Sequence, residues 1–260
     1  MVHKAILAAG AFFFRFRNYF FPAFVVVVVL LTRPGYFLGR ADIDRFVVPL
    51  AAATAILGGV FRLLVIGFAY IKRGGKDGRV YANVLVTRGF YAHVRNPMYI
   101  GNYAILTGVG VIYGSIWVYL VLIPFFTFAY YAIVVTEEEF LRGKFGPEFE
   151  AYCRSVNRFI PRLRGIRKSL KEFRYDWRKA LRKDYGTFSG IFTICLCAWL
   201  LKLHYLEGLP WSTTALWMGS AAAVYGAFCG AVRYLKHAGH LDLDRHPGQM
   251  PGEGRIPTPH

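Results

Sequence analysis

Tyr99 to Val135 reads YIGNYAILTGVGVIYGSIWVYLVLIPFFTFAYYAIVV, 37 consecutive residues without an Asp, Glu, Lys or Arg. A helix needs about 20 apolar residues to cross the hydrocarbon core of a bilayer, so this run is too long for one crossing and suits two. The Gly114-Ser115 pair near its middle divides it, which predicts a tight helical hairpin whose two ends return to one side. Other apolar runs repeat the theme. Phe46 to Ile71 is broken only by Arg62, and Leu209 to Val232 is uninterrupted. Gly186 to Leu201 extends through Leu206 if Lys202 reaches the interface along its aliphatic stem. Asn18 to Thr32 is a shorter run of fifteen residues fenced by Arg15, Arg17 and Arg33. A signal peptide is the alternative for that first run, but no small-residue cleavage site follows Leu31, and a retained span is the better expectation. The expected fold is an all-α, polytopic transmembrane helical bundle of about six spans.

Composition and charge agree. Hydrophobic residues make up 55% of the 260, charged residues 18%, and mean hydropathy is +0.36. That excludes a disordered chain, which lacks the apolar surface to fold. A net charge of +17 would suit a nucleic-acid partner, but the basic residues sit at the ends of apolar runs, so no nucleic acid is expected. Arg142 to Lys183 holds fourteen Lys or Arg against four acids, and Lys72, Arg73, Lys76, Arg79, Arg88 and Arg95 fill an earlier loop of the same side. The opposite loops are balanced, with Arg33, Arg40 and Arg45 near Asp42 and Asp44. This asymmetry predicts that the basic loops and both termini are cytoplasmic. Cys195, Cys197 and Cys229 lie within apolar runs and only Cys153 lies outside, which gives neither a disulfide framework nor zinc-ligand spacing. The expected organisation is N-terminal spans over 1–71, a core with the hairpin over 72–165, and a basic linker, two spans and an irregular Gly- and Pro-rich tail over 166–260.

Two polar motifs flank the hairpin. Arg95-Asn96-Pro97-Met98-Tyr99-Ile100-Gly101-Asn102 precedes it, and Glu137-Glu138-Glu139-Phe140-Leu141 follows it, with Phe145-Gly146 shortly after. The hairpin brings both to the same membrane surface. Acids at the end of a membrane helix are costly unless paired or hydrated, and point to function; the plainer alternative is that they mark the helix exit. Gly146-Pro147 with Glu148 and Glu150 reads as a helix start. Phe149, Tyr152, Val156 and Phe159 then recur at helical spacing, predicting an interfacial amphipathic helix that Pro161 stops and that roofs the hairpin ends.

Arg95-x-Pro97-x-Tyr99-x-Gly101, Glu137-Glu138-x-x-Leu141-x-x-x-Phe145-Gly146, Tyr152 and Arg158-Phe159-Ile160-Pro161 together resemble the isoprenylcysteine carboxyl methyltransferase family, and the phospholipid methyltransferases share part of the pattern. The resemblance runs from Lys72 to Pro161. The isoprenylcysteine enzymes usually carry His before the proline; Asn96 stands there, and Asn-Pro-Met-Tyr looks more like the phosphatidylethanolamine methyltransferases. The resemblance implies S-adenosylmethionine as methyl donor and a lipid or lipid-modified acceptor, either a phospholipid amine or an isoprenylcysteine-like carboxylate. It implies a donor site of Tyr91, His93, Asn96, Pro97, Tyr99, Gly101, Asn102 and Glu138. Glu138 would accept hydrogen bonds from the donor's ammonium, Arg95 or amides near Gly101 would meet its carboxylate, and Tyr91 and Tyr99 offer faces for adenine or sulfonium. Arg95, Glu137 and Arg158 are the expected catalytic set, with Glu137 or His93 as base and Arg158 holding a carboxylate or phosphate. Gly101, Gly108 and Gly110 either leave room for an acceptor chain or let helices pack closely. Membrane sterol reductases, which use NADPH, resemble the Arg-x-x-x-Tyr-x-Gly stretch weakly. A non-enzymatic lipid-binding protein needs no catalytic pair. The double glutamate followed by Leu141 and Phe145-Gly146 favours the methyltransferase.

Overall fold

Gly114 takes a left-handed conformation (φ 73°) that ends one helix and starts the return, and its amide donates to the Gly110 carbonyl. Only glycine adopts such a backbone without strain, so the hairpin turns where the sequence breaks. The first arm is α3 (Pro97–Tyr113) and the second is α4 (Ile123–Phe145). A π-helical turn, Val118–Leu122, leads into α4, with the Ile123 amide donating to the Val118 carbonyl five residues back.

The computed structural model describes residues 2–68, 73–76, 79–82, 84–171 and 173–241. Around the hairpin stand α1 (Val2–Leu31), α2 (Ala41–Phe68), α7 (Trp177–Glu207) and α8 (Trp211–His237). Among the described residues, five helical stretches are long and apolar enough to cross a membrane: α1, α2, α7, α8 and Val118–Phe145. The sixth apolar run is α3, whose 17 residues at 1.5 Å each span about 26 Å, slightly less than a ~30 Å hydrocarbon core. The all-α bundle read from the sequence is borne out, with one addition. A small antiparallel hairpin, β1 (Arg73–Lys76) with β2 (Arg79–Ala82), pairs Lys76 with Arg79 in the loop after α2. Asp77-Gly78 stands between the strands in the sequence, a pair that favours two-residue hairpin loops and that the helical reading overlooked. Lys72 and most of the tail expected to be irregular lie outside the described residues.

Backbone contacts show which ends lie together. Gly35 N donates to the Tyr113 carbonyl and Lys202 Nζ pairs with Asp44 at 2.7 Å, which gathers the α1–α2 loop, the hairpin turn and the end of α7. At the other, basic end, Asp176 N donates to Gly67 O and Arg95 N to Asn157 O.

The helices form two groups. In one, α1 lies along α4 through an aromatic seam: Phe21 meets Phe126 at 4.9 Å and Phe24 meets Phe125 at 4.2 Å between ring centroids. In the other, α2 packs on α3 and α7, and α8 on α7. The α2–α3 contact is made by small residues. A methyl placed on Gly108 would sit 2.5 Å from the Ala51 carbonyl oxygen, and one on Gly101 would sit 2.8 Å from that of Gly58. Gly101 and Gly108 therefore serve close helix packing, and of the three glycines read as room for a chain only Gly110 lines a cavity. Only 6% of the apolar stretch of α8 is buried, which makes it the outer edge of its group.

The roof is shorter than its periodicity suggested. After Gly146 (φ 49°) and Pro147, α5 (Pro147–Ser155) buries Phe149 and Tyr152 as expected, but Val156 is extended and the helix ends there. Phe159 is not on it. The reason is tertiary: the extended segment lets Asn157 accept from the Arg95 amide and brings the Arg158 side chain to Glu138. A short α6 (Ile166–Lys171) follows.

Candidate functional site

Glu138 is the centre of a closed knot at the basic end, and is 3% exposed. Arg95 Nε donates to its Oε1 at 3.1 Å; Arg158 Nη2 donates to Oε2 at 2.7 Å and Arg158 Nε to the same atom at 3.1 Å. Asn96 Nδ2 adds a bond to Oε1 at 3.3 Å. Arg95 Nη1 also ties down the carbonyls of Cys153 (2.9 Å) and Val156 (3.1 Å), so α5 and its exit are fastened to the start of α3. The hydrogen bonds from Arg158 to Glu138 push the guanidinium pKa above its ordinary value, outweighing its partial desolvation. A carboxylate taken out of water is stable only when its lone pairs are met in this way. Burial pushes the neighbouring Cys153 thiol up.

Glu137 faces elsewhere, because successive helix positions point about 100° apart. It accepts from Tyr99 Oη at 3.1 Å and lines a cavity of about 1040 Å³ between the two helix groups. The cavity wall has helical logic. On the hairpin's return arm, Val118, Leu122, Phe126, Tyr130, Ile133 and Glu137 line it, a spacing of three or four throughout. On α3 the lining side chains include Tyr99, Asn102, Leu106, Val109 and Tyr113. Tyr91, Asn96, Tyr99, Asn102 and Glu137 meet toward the basic end, Arg17, Asn18, Arg62, Lys183, Asp184 and Thr187 add polar groups from α1, α2 and α7, and most of the remaining lining is apolar. The rings of Tyr99 and Tyr130 lie 5.6 Å apart, forming an aromatic corner beside the carboxylate.

The sequence-predicted set thus separates. Tyr91, Asn96, Tyr99, Asn102 and Glu137 border the cavity; Arg95, Glu138 and Arg158 form the knot behind Asn96 and are not among its lining residues. Pro97 is buried as the first residue of α3, where its missing amide costs nothing. Gly101 faces α2. His93 is buried, with its ring between the Arg162 carbonyl and Ser169 Oγ (3.0 Å), so it holds the linker after the roof and does not border the cavity.

One cluster was not foreseen. Arg62, the lone charge inside the second apolar run, donates from Nε to Asp184 Oδ2 on α7 at 3.0 Å, pairs a second time through Nη2, and donates from Nη1 to Asn102. Asp184 is 4% exposed. A charge within an apolar helix signals a partner, but that partner lies 122 positions away amid Arg178, Lys179, Arg182 and Lys183, where its sign alone marked it.

Fold and site together define a polytopic helical protein in which a membrane hairpin presents a polar corner to a cleft between helix groups. Residues 50–148, from within α2 to the start of α5, match the phospholipid methyltransferase family model, and the resemblance read in the motifs is borne out over that stretch. The cobalt-zinc-cadmium resistance protein CzcN of Cupriavidus metallidurans is 41% identical over 81 residues, 31% of this chain and 37% of that protein. The nickel-cobalt-cadmium resistance protein NccN of Alcaligenes xylosoxydans xylosoxydans is 37% identical over 79 residues, 30% of this chain and 37% of that protein. The chain thus spans little more than a third of the length of these curated relatives. No solved structure matches it significantly.

Proposed function

We propose that the chain is an integral membrane methyltransferase that takes its methyl group from S-adenosylmethionine and passes it to a lipid or lipid-modified acceptor, with its basic loops and both termini in the cytoplasm. The observation that carries this reading is the cavity itself: the family-matched stretch has Asn96, Tyr99 and Glu137 at its polar end, and the cavity continues between the helix groups along a wall that is mostly apolar beyond Arg17 and Lys183. The residues fit the donor's chemistry. A carboxylate, two side-chain amides and aromatic rings suit an ammonium, polar oxygens and a flat base or sulfonium, respectively.

Bound there, S-adenosylmethionine would supply an electrophilic methyl on a cationic sulfur. The chain's task is then to align and to exclude water. Glu137 takes the role that the sequence suggested for Glu138, and Glu138 takes a structural one. Glu137, at the cavity, receives the donor's ammonium, with Tyr99 fixing its carboxylate. Glu138, Arg95 and Arg158 are positioning residues that aim Asn96 and hold the roof. The donor enters from the basic, aqueous side. The acceptor's chain stays in the bilayer and slides in laterally, because withdrawing it would cost about 0.8 kcal/mol per CH₂.

Calorimetric titration of the purified protein with S-adenosylhomocysteine and, separately, NADPH tests the class. Binding of the first without the second supports the methyltransferase; the reverse supports the sterol-reductase reading. Mass spectrometry of membrane lipids from cells with and without the protein then looks for an acceptor heavier by one CH₂.

A further inference from the structure

We infer that Arg17 of α1 and Lys183 of α7, facing the cleft from its two helix groups, form an anion clamp that selects the charged headgroup of the lipid entering it. The inference rests on the reading of the cleft as the acceptor's path. Both residues line the cavity, and both lie outside the family-matched stretch.

Their level in the bundle follows from contacts. On α1, Gly10 abuts Ala132 and Thr136, while Phe21 meets Phe126, so Arg17 runs alongside α4 between those levels, at Tyr130. Tyr130 stacks near Tyr99, one turn from Asn102; Asn102 meets Arg62, and Arg62 meets Asp184. Arg17 and Lys183 therefore belong to one layer, on opposite helix groups. The two-pronged bond to Arg62 fixes the rotation of α7, and the neighbouring Lys183 is turned to the cleft.

The charge in this layer is not balanced. Arg62 is matched by Asp184, and Arg17 lies over the Phe14 ring at 4.3 Å. Among the described residues no carboxylate pairs with Arg17 or Lys183. Below them the cleft turns apolar: Val25, Val28 and Val29 on α1 face Ile194, Ala198 and Leu201 on α7. From Asn18 to Leu30 this wall advances about 18 Å at 1.5 Å per residue, room for about 14 carbons of an extended chain at ~1.25 Å each, which follows from 1.5 Å bonds at tetrahedral angles. Two cations above an apolar trough match a lipid whose charge is negative and whose chain points away from it. A neutral lipid would offer neither cation a counter-charge.

Native mass spectrometry of the detergent-purified protein offered equal amounts of phosphatidic acid and diacylglycerol, and then of oleate and oleyl alcohol, reads the preference directly. Wild type should retain the anionic member of at least one pair about tenfold or more over its neutral twin, the effect of one charge-assisted contact. The two pairs distinguish phosphate from carboxylate. Arg17→Ala with Lys183→Ala should abolish the preference, and Arg17→Lys with Lys183→Arg should keep it, which guards against loss of fold. Arg164→Ala with Arg167→Ala, on the exposed basic linker, should leave it unchanged. Equal retention by wild type, persistence in the double alanine variant, or loss in the linker variant would each overturn the clamp. Titration with S-adenosylhomocysteine on the same variants separates this from the donor reading. A clamp without donor binding removes the methyltransferase and leaves an anionic-lipid site.

Discussion

Glu137 and Glu138 are adjacent in the chain and opposite in circumstance. Glu138 is sealed under α5 by two guanidiniums and an amide; Glu137 stands one helical step round, at the polar end of a cavity, touched by a tyrosine hydroxyl. The first arrangement is complete in itself and fastens the roof to the hairpin. The second meets a space large enough for a small molecule. Two carboxylates on one helix thus stand in a closed ion cluster and at a cavity wall, and the division is set by which face of α4 each occupies.

The widest effect should come from opening the knot. Glu138→Ala leaves Arg95 and Arg158 facing each other without their shared anion, a loss of about 3–5 kcal/mol for a broken buried pair. Thermal unfolding in detergent should show it as a large fall in midpoint, and a shift within error would mean that the knot does not hold the roof. Glu137→Gln is the counter-experiment. Its unfolding should match wild type, whereas affinity for S-adenosylhomocysteine should fall by about ten- to a hundredfold, the 1.5–3 kcal/mol of a charged hydrogen bond. Should Glu138→Gln in place of Glu137→Gln lose affinity at unchanged stability, the roles revert to those read from the sequence. Tyr99→Phe removes one neutral donor from Glu137 and should weaken binding by roughly 0.5–1.5 kcal/mol. The smallest effect concerns Cys153 beside the knot. With its thiol pushed up by burial, alkylation by iodoacetamide should reach half its maximal rate above pH ~8.5, the midpoint for a free thiol. The sign for stability follows: the unfolded chain releases this proton first, so the thiol's contribution is intact below that pH and is lost as pH rises through the native value. A Glu138→Ala protein whose Cys153 titrates unchanged would show that the thiol is indifferent to the knot.

What the sequence disclosed was local. A charge-free run with Gly114 near its centre contains the hairpin, and Gly146-Pro147 marks a helix start, because apolar periodicity and special backbone residues act over a few positions. Meeting places between distant segments were legible only as regions. Folding the hairpin brings the Arg95 and Glu137 motifs together, yet nothing local states that Glu138, and not Glu137, faces Arg158. Phe159 kept helical spacing after Val156 had left the helix, since two tertiary bonds outweighed propensity. Arg62 stood out only as the one charge in an apolar run, and Asp184 was hidden in a basic run.

The π turn at Val118–Leu122 gives the hairpin an adjustable phase. Such a turn holds one residue more than an α turn would, so loss of a residue there would be absorbed by reverting to regular helix with the arm beyond it kept in place, whereas loss of a residue from the regular helix just after it would advance the arm one place. Each cavity-facing position would then be filled by its successor: Thr127 for Phe126, Tyr131 for Tyr130, Val134 for Ile133. At the polar end Glu138 would replace Glu137, and Glu139 would take the seat among the arginines. The triple glutamate makes the charged end tolerant of a slipped frame; the aromatic wall is what would register the error.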